Sequence, residues 1–168
     1  MSVTHHHELA QVNVARLRAP LDTPQLADFV ANLEPVNALA DGAPGFVWRL
    51  QTEDGNATAV RVLDDDMLIV NMSVWRSLDA LSAFVYGGGH REVMRRRRQW
   101  FERLTDAHVA LWWVEAGTRP TVAEAERRLV LLRTHGPTRE AFTFRTPFPV
   151  PGAAGPVAAD DDWRCPAG

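Results

Sequence analysis

The sequence predicts an α+β domain of the ferredoxin-like class, a βαββαβ sheet with its helices on one face. Three observations predict this class. The chain has 168 residues, which is the length of one domain. Its strand-like and helix-like segments follow one another in the order strand, helix, strand, strand, helix, strand. The main strands also carry one apolar face and one partly polar face, which indicates a sheet whose two sides have different surroundings.

The first half of the domain begins with a strand over Leu9–Leu17, whose middle residues alternate in polarity. Apolar residues then recur at helical spacing from Pro24 to Leu39, and Pro35 is expected to kink or split this helix. A strand over Gly45–Thr52 follows. An Asp-Gly turn after this strand leads into a further expected strand over Ala57–Val62.

The second half begins with the strand that has the clearest composition, rich in Ile, Val and Met, and continues through two helices separated by three glycines. Ser77 is the expected N-cap of the first of these helices, and Thr121 with Glu124 forms a capping box for the last helix. The predicted elements are a strand over Met67–Trp75, helices over Leu78–Tyr86 and His90–Leu104, a strand over His108–Val114, a helix over Thr121–Leu132 and an edge strand over Phe142–Arg145.

The domain is expected to span residues 9–146, between disordered tails at 1–8 and 147–168. The first tail carries three adjacent histidines, which we interpret as a flexible segment and not as a metal site. Proline, glycine, alanine and a run of three aspartates dominate the second tail. No metal site is predicted.

Composition excludes several classes of function. A net charge of −3 does not favour nucleic acid or an anionic membrane as a partner. The chain has one cysteine, Cys165, so no internal disulfide forms, and no apolar run reaches the length of a membrane helix. We therefore expect a cytoplasmic protein. The motifs of nucleotide binding, acyl transfer and zinc proteolysis are also missing from the sequence.

Polar side chains on two strands predict a binding pocket. The wholly apolar strand rows are expected to lie under the helices. The opposite rows carry Gln11 and Asn13 on one strand, and Asn71, Ser73 and Trp75 on another. Small-molecule sites are mostly apolar with a few placed polar groups, so we expect these rows to line a pocket on the open face of the sheet.

Four consecutive arginines, Arg95 to Arg98, lie on the predicted helix over His90–Leu104. Because they span a full helical turn, they do not all lie on one side of the helix. One interpretation is a solvated helix surface, with Glu92 and Glu102 as partners. The other is that one of these arginines faces the pocket.

Four stretches together carry a family resemblance over about Leu9 to Pro149: LAQVNVARLRAPLD, LEPVNALADGAPGFVWRLQTEDG, LIVNMSVWRSLDALSAFVY and GGHREVMRRRRQWFERL. They resemble the domain of unknown function 3291 family. More remotely, the chain resembles the dimeric α/β-barrel superfamily, which includes antibiotic biosynthesis monooxygenases, haem-degrading monooxygenases and simple ligand-binding dimers. That resemblance implies a homodimer whose second copy covers the open sheet face.

The first functional hypothesis is a monooxygenase-like oxidoreductase that oxidises a small aromatic molecule without a cofactor. Asn71-x-x-x-Trp75 is similar to the asparagine and tryptophan of cofactor-free quinol monooxygenases. The resemblance implies that Asn71, Trp75 and His90 are catalytic, with His90 as a base and the amides as oxyanion donors. The expected substrate-binding residues are Gln11, Asn13, Trp48, Ser73 and Tyr86.

Two alternatives stay open. Haem-degrading enzymes resemble this chain in the places of Asn13, Trp75 and His90, which implies haem as a cofactor with His90 as the axial ligand. The other alternative is a dimeric protein that binds a small ligand without catalysis.

Overall fold

The computed structural model describes residues 6–53 and 55–153, so most of the expected tail segments at 1–8 and 147–168 lie outside the described residues. Its elements confirm the α+β class. In chain order they are β1 (His7–Arg16), a short 3-10 helix (Pro24–Leu26), α1 (Ala27–Asp41), β2 (Phe46–Arg49), β3 (Leu68–Trp75), α2 (Leu78–Val85), α3 (Gly88–Trp100), β4 (Val109–Glu115) and α4 (Val122–His135).

The sheet has the strand order β2-β3-β1-β4, with every neighbouring pair antiparallel. This is the order that a βαββαβ chain gives when both crossovers lie on the same side, so the ferredoxin-like prediction is confirmed. The register places Gln11 opposite Ser73 and Asn13 opposite Asn71. The polar residues of β1 and β3 therefore form one compact group at the centre of the sheet.

The assignment of the two sheet faces was wrong. The polar row faces α1, α2 and α3 and is not an open surface. The apolar row, which includes Val12, Met72 and Trp112, packs against α4 and against the segment 57–63 of the same chain. Because side chains alternate along a strand, the reversal moves both whole rows together. The sequence pattern separates the rows but does not say which row the crossover helices cover.

Helix α4 and the segment 57–63 cover the sheet face on which a second copy of the chain was expected to pack. Val12, Val74 and Trp112 are each 0% exposed in the single chain. A partner sheet packed on this face would have to displace α4. The expected homodimer therefore lacks the open sheet face that was its structural basis.

The segment at 57–62 forms no strand. It wraps across the apolar face, where Val62 is fully buried and the Leu63 amide donates to Glu126 Oε1 on α4 at 2.7 Å. Its hydrogen bonds are thus local or to side chains, and not to a neighbouring strand. Phe142 forms only an isolated bridge with Leu111, in place of the expected edge strand.

Helix boundaries differ from expectation around the three glycines and at two C-terminal ends, since α3 ends at Trp100 and not Leu104, and α4 ends at His135 and not Leu132. Helix α3 begins at Gly88, with Gly87 as its N-cap. A Cβ at Gly87 would lie 2.8 Å from the Ala83 carbonyl oxygen, so the glycine permits a close approach between α2 and α3. Helix α1 continues through Pro35 to Asp41 and is not split. Ser77 and Thr121 accept the expected capping bonds from Ala80 and Glu124.

Candidate functional site

A cavity of about 410 Å³ lies between the polar face of the sheet and helices α1, α2 and α3. The strands supply its floor and the helices supply its walls and roof. Most of the surface is apolar, with side chains such as Phe29, Leu33, Val36, Val93 and Met94. No Asp or Glu lines it within residues 6–53 and 55–153. Of the predicted site residues, the cavity lining includes Gln11, Asn13, Asn71, Ser73, Trp75, Tyr86 and His90.

A hydrogen-bond network fixes the floor of the cavity. Gln11 Nε2 donates to Asn71 Oδ1 at 2.7 Å and to Ser73 Oγ at 2.9 Å. Trp75 Nε1 donates to the same Ser73 oxygen at 2.8 Å. Gln11 and Ser73 are buried, so these bonds satisfy groups that would otherwise be costly to desolvate. Gln11 and Ser73 thus hold their neighbours in place.

Asn71 and Asn13 present the available amide donors. Asn71 uses its Oδ1 to accept from Gln11, and its Nδ2 has no acceptor among the described residues. The side chain of Asn13 likewise makes no hydrogen bond within the described part of the chain. Both side chains line the cavity. A ligand oxygen on the floor would therefore meet N–H groups that need no rearrangement to donate.

Trp75 is a structural wall and not an open stacking surface. It is 1% exposed, with Phe84 stacked on it at 5.1 Å between ring centroids and Phe46 against it edge-on at 5.5 Å. These two rings occupy the positions that a substrate ring would take. Trp75, which the resemblance implies is catalytic, therefore has no open ring face on which a substrate could stack.

His90 lies on the first turn of α3, and its ring orientation is fixed. Nδ1 is 3.0 Å from the Val85 carbonyl oxygen, which can only accept, so Nδ1 carries the proton and Nε2 has the lone pair. Burial lowers the pKa of His90 from its ordinary value of 6.5, the Arg97 charge lowers it further, and the bond to Val85 opposes both. The lowered pKa favours the neutral imidazole at pH 7. A neutral imidazole with a free Nε2 is equipped to accept a proton.

The four arginines divide between the two interpretations, and the exposed Arg98 agrees with the first, a solvated helix surface. Arg95 pairs with Glu92 at 3.5 Å, and Arg96 pairs with Asp28 at 2.5 Å while its guanidinium lies 5.1 Å from the Trp100 ring centroid. Arg97 lines the cavity, as the second interpretation holds.

Trp48 is not part of the cavity lining. The register between β2 and β3 shifts between Phe46 and Trp48, so that Trp48 pairs with Val74 and packs in the apolar core on the other face of the sheet. This irregularity moves the side chain to the face opposite the one its sequence position suggests. Tyr86 lies at the rim, 66% exposed and 6.1 Å from the Phe144 ring.

Sequence reasoning missed the contribution of α1. This helix places the amides of Asn32 and Asn37 in the cavity roof, beside the apolar residues that its periodicity identifies. Their spacing from Phe29, Leu33 and Val36 was the available signal, because residues three or four apart share a helix face. Asn32 Nδ2 donates to the Asp28 carbonyl at 2.7 Å, while Asn37 has no side-chain partner among the described residues.

The expected haem arrangement does not fit this site. It requires a flat macrocycle between His90 and the distal residues Asn13 and Trp75. The Phe84 ring packs against both His90 and Trp75, with centroids 5.2 Å from the first and 5.1 Å from the second. A porphyrin would have to displace that ring.

No group of three or more metal-ligating side chains occurs within the described residues, and none of the described helices is long and apolar enough to cross a membrane.

Comparison with known proteins finds no match among curated proteins. Several solved structures are similar at low identity. SnoaB, a cofactor-independent oxygenase from Streptomyces nogalater, is 20% identical with a TM-score of 0.44, over 67% of this chain and 95% of that one. PA3566 from Pseudomonas aeruginosa is 13% identical with a TM-score of 0.45, over 68% and 98%. NE2512, a protein of unknown function from Nitrosomonas europaea, is 16% identical with a TM-score of 0.42, over 70% and 96%.

The family comparison covers most of the domain. The model of the family described as Domain of unknown function (DUF3291) matches residues 8–158, and this chain is a member of that family.

Proposed function

We propose that the protein oxidises a hydroxyaromatic small molecule with molecular oxygen, without a cofactor, in the cavity between the sheet and α1–α3. One observation carries the proposal. A neutral His90 with a free Nε2 and the available amide donors of Asn13 and Asn71 line the same largely apolar chamber. These are the parts needed to form an aromatic oxyanion and to hold it.

The proposed reaction begins with proton transfer. His90 Nε2 takes the proton from the substrate hydroxyl, and the resulting oxyanion accepts hydrogen bonds from Asn71 Nδ2 and Asn13 Nδ2. Asn71 is solvent-exposed, so these bonds become stronger than they would be in water when the bound ring excludes solvent from between the apolar walls. The amides therefore stabilise the anion more than they stabilise the neutral phenol, which is the condition for catalysis.

The anion is electron-rich enough to supply both electrons to oxygen. A ring carbon ortho or para to the oxyanion forms a bond to O₂, and the distal peroxide oxygen takes the proton back from His90. The hydroperoxide then loses water as its O–O bond breaks and the hydrogen on that carbon leaves as a proton. A ring C–H thus becomes C=O, with one O₂ consumed and one water released. His90 ends neutral and ready for another cycle.

The shape and composition of the chamber support an aromatic substrate. Phe29, Leu33 and Val36 on α1 face Val93 and Met94 on α3, and these apolar walls flank the polar floor. Such walls exclude water from a flat apolar ring and leave its oxygen substituent to the amides. Gln11 and Ser73 support this arrangement by fixing Asn71 and Trp75 from below.

Oxygen uptake with a panel of naphthols and quinols, in the presence of a chelator, tests the proposal. We expect the wild type to consume one O₂ per quinone formed, faster than the spontaneous oxidation. Replacing Asn71 by Leu removes an oxyanion donor and should lower kcat by about 10²–10³-fold.

Asn71→Asp is the matched variant, because it keeps an oxygen acceptor for Gln11 but removes the N–H donor. We expect it to be as impaired as Asn71→Leu, with an unchanged circular dichroism spectrum. Full activity in Asn71→Asp would contradict the oxyanion role. Tight binding of these compounds without oxygen uptake would reject the enzymatic proposal. It would favour the alternative of a protein that binds a small ligand without catalysis.

A further inference from the structure

The cavity contains a positive charge that nothing else in the described structure neutralises. Arg97 lines it from α3, seven residues and two helical turns after His90, on the same face of the helix. Its guanidinium makes no hydrogen bond or ion pair among residues 6–53 and 55–153. The side chain is half-buried, so its charge is only partly solvated.

The other charged groups near the cavity do not compensate it. Arg49 also lines the chamber, but its guanidinium donates to Asp41 at 2.7 Å and to the Gly55 carbonyl at 2.7 Å. His90 is neutral, and the lining includes no acidic side chain in the described part of the chain. The chamber therefore has a net positive charge, located at Arg97. An arginine in mostly apolar surroundings is stabilised when a carboxylate pairs with it.

We propose that the ligand of this cavity is a hydroxyaromatic carboxylic acid, whose carboxylate pairs with Arg97 while its ring lies on the amide floor. This inference names the substrate class of the proposed function and rests on that cavity as the site. A guanidinium presents two parallel N–H groups that match the two oxygens of a carboxylate, which makes the pair both strong and directional. Arg97 would thus select the substrate and orient its hydroxyl toward the floor.

The arrangement of donors supports this substrate class. Arg97 approaches from α3, Asn13 and Asn71 from the sheet, and Asn37 from α1, so hydrogen-bond donors converge from three elements on one apolar space. A plain hydrocarbon would leave them all unsatisfied. An aromatic acid with an additional hydroxyl satisfies donors at two separate places and fills the apolar walls between them.

The test compares two probes that share a ring system and differ in the carboxylate, 6-hydroxy-2-naphthoate, whose two polar groups lie at opposite ends of the ring system, and 2-naphthol. Binding is measured by calorimetry under nitrogen, so that no oxidation interferes and the result does not depend on turnover. We expect the wild type to bind the hydroxynaphthoate more tightly. Arg97→Gln should weaken that binding by about tenfold or more, the effect of losing a charge-assisted bond, and leave 2-naphthol binding within about twofold.

Arg98→Gln is the matched control. Arg98 belongs to the same run but is exposed and does not line the cavity, so its loss should change neither affinity. Equal affinities of the wild type for the two probes would overturn the proposal. Equal weakening of both by Arg97→Gln, or no binding of either, would also overturn it. Binding with the expected selectivity but without oxygen uptake would leave the carboxylate site standing and reject only the oxidation.

Discussion

Replacing His90 by Gln is expected to lower kcat/KM for oxygen-dependent turnover by about 10²–10⁴-fold, the usual contribution of a general base. Glutamine keeps a polar side chain of similar size near the Val85 carbonyl but cannot accept a proton. Anaerobic substrate binding should weaken much less than turnover, because His90 contributes only its contact with the hydroxyl, while the proposed contacts to the ring and carboxylate come from other residues. Steady-state oxygen uptake measures the first effect and anaerobic calorimetry the second.

His108→Gln is the control for this variant. His108 lies just before β4, outside the cavity lining, with Nδ1 3.4 Å from the Asp106 carbonyl oxygen. Its replacement should leave turnover unchanged. Turnover by His90→Gln at the rate of the wild type would contradict the assignment of His90 as the base.

The pH profile of the wild type follows from the same group. Burial and the Arg97 charge lower the pKa of His90 from 6.5, and only the neutral imidazole accepts a proton. Activity should therefore persist as the pH falls through 6.5 and decline only at lower pH, where His90 becomes protonated. A decline centred at or above the ordinary histidine value would show that another group controls the reaction.

Replacing Leu129 by Ala is expected to lower the free energy of unfolding by about 2–5 kcal/mol, because it removes a buried side chain and leaves a cavity. Leu129 is 0% exposed and lies in the core that α4 forms with the apolar face of the sheet. Urea unfolding measures the loss. Since this cover belongs to the same chain, the urea midpoint should not depend on protein concentration.

Val130→Ala gives the comparison on the same helix. Val130 is 50% exposed, so its truncation should change stability by no more than about 0.5 kcal/mol. Similar losses for the two variants would show that α4 does not pack as described. A midpoint that rises with protein concentration would indicate that a second chain contributes to the fold, as the homodimer hypothesis requires.

The order and class of the elements could be predicted because they depend on local patterns. The alternation of β1 and β3 and the caps at Ser77 and Thr121 lie within a few residues of sequence. The alternation also grouped Gln11, Asn13, Asn71 and Ser73 correctly on one face. Which row of side chains the crossover helices cover is a long-range property, and local sequence patterns do not predict it. In the structure, α4 buries the apolar row, and α1–α3 lie over the polar row.

The candidate site was predictable to the same degree. Residues on regular strands appear in the cavity where alternation placed them, whereas Trp48 lies on the opposite face because β2 is irregular beside it. Asn37 and Arg97 depend on the rotation of α1 and α3 relative to the sheet. Packing sets that rotation, so periodicity shows which residues share a helix face but not what that face contacts. Phe84, a residue of α2, covers the ring of Trp75, and no pattern within β3 predicts that contact.

The most direct test of the central claim, that His90 forms an aromatic anion which then reacts with oxygen, is an anaerobic absorbance measurement. The protein is mixed under nitrogen with 6-hydroxy-2-naphthoate at a pH where the free hydroxyl stays protonated, and oxygen is then admitted. We expect a red-shifted band of the bound anion in the wild type, its absence in His90→Gln, and its decay with oxygen consumption. Oxygen consumption without the band, or an equal band in His90→Gln, would contradict it.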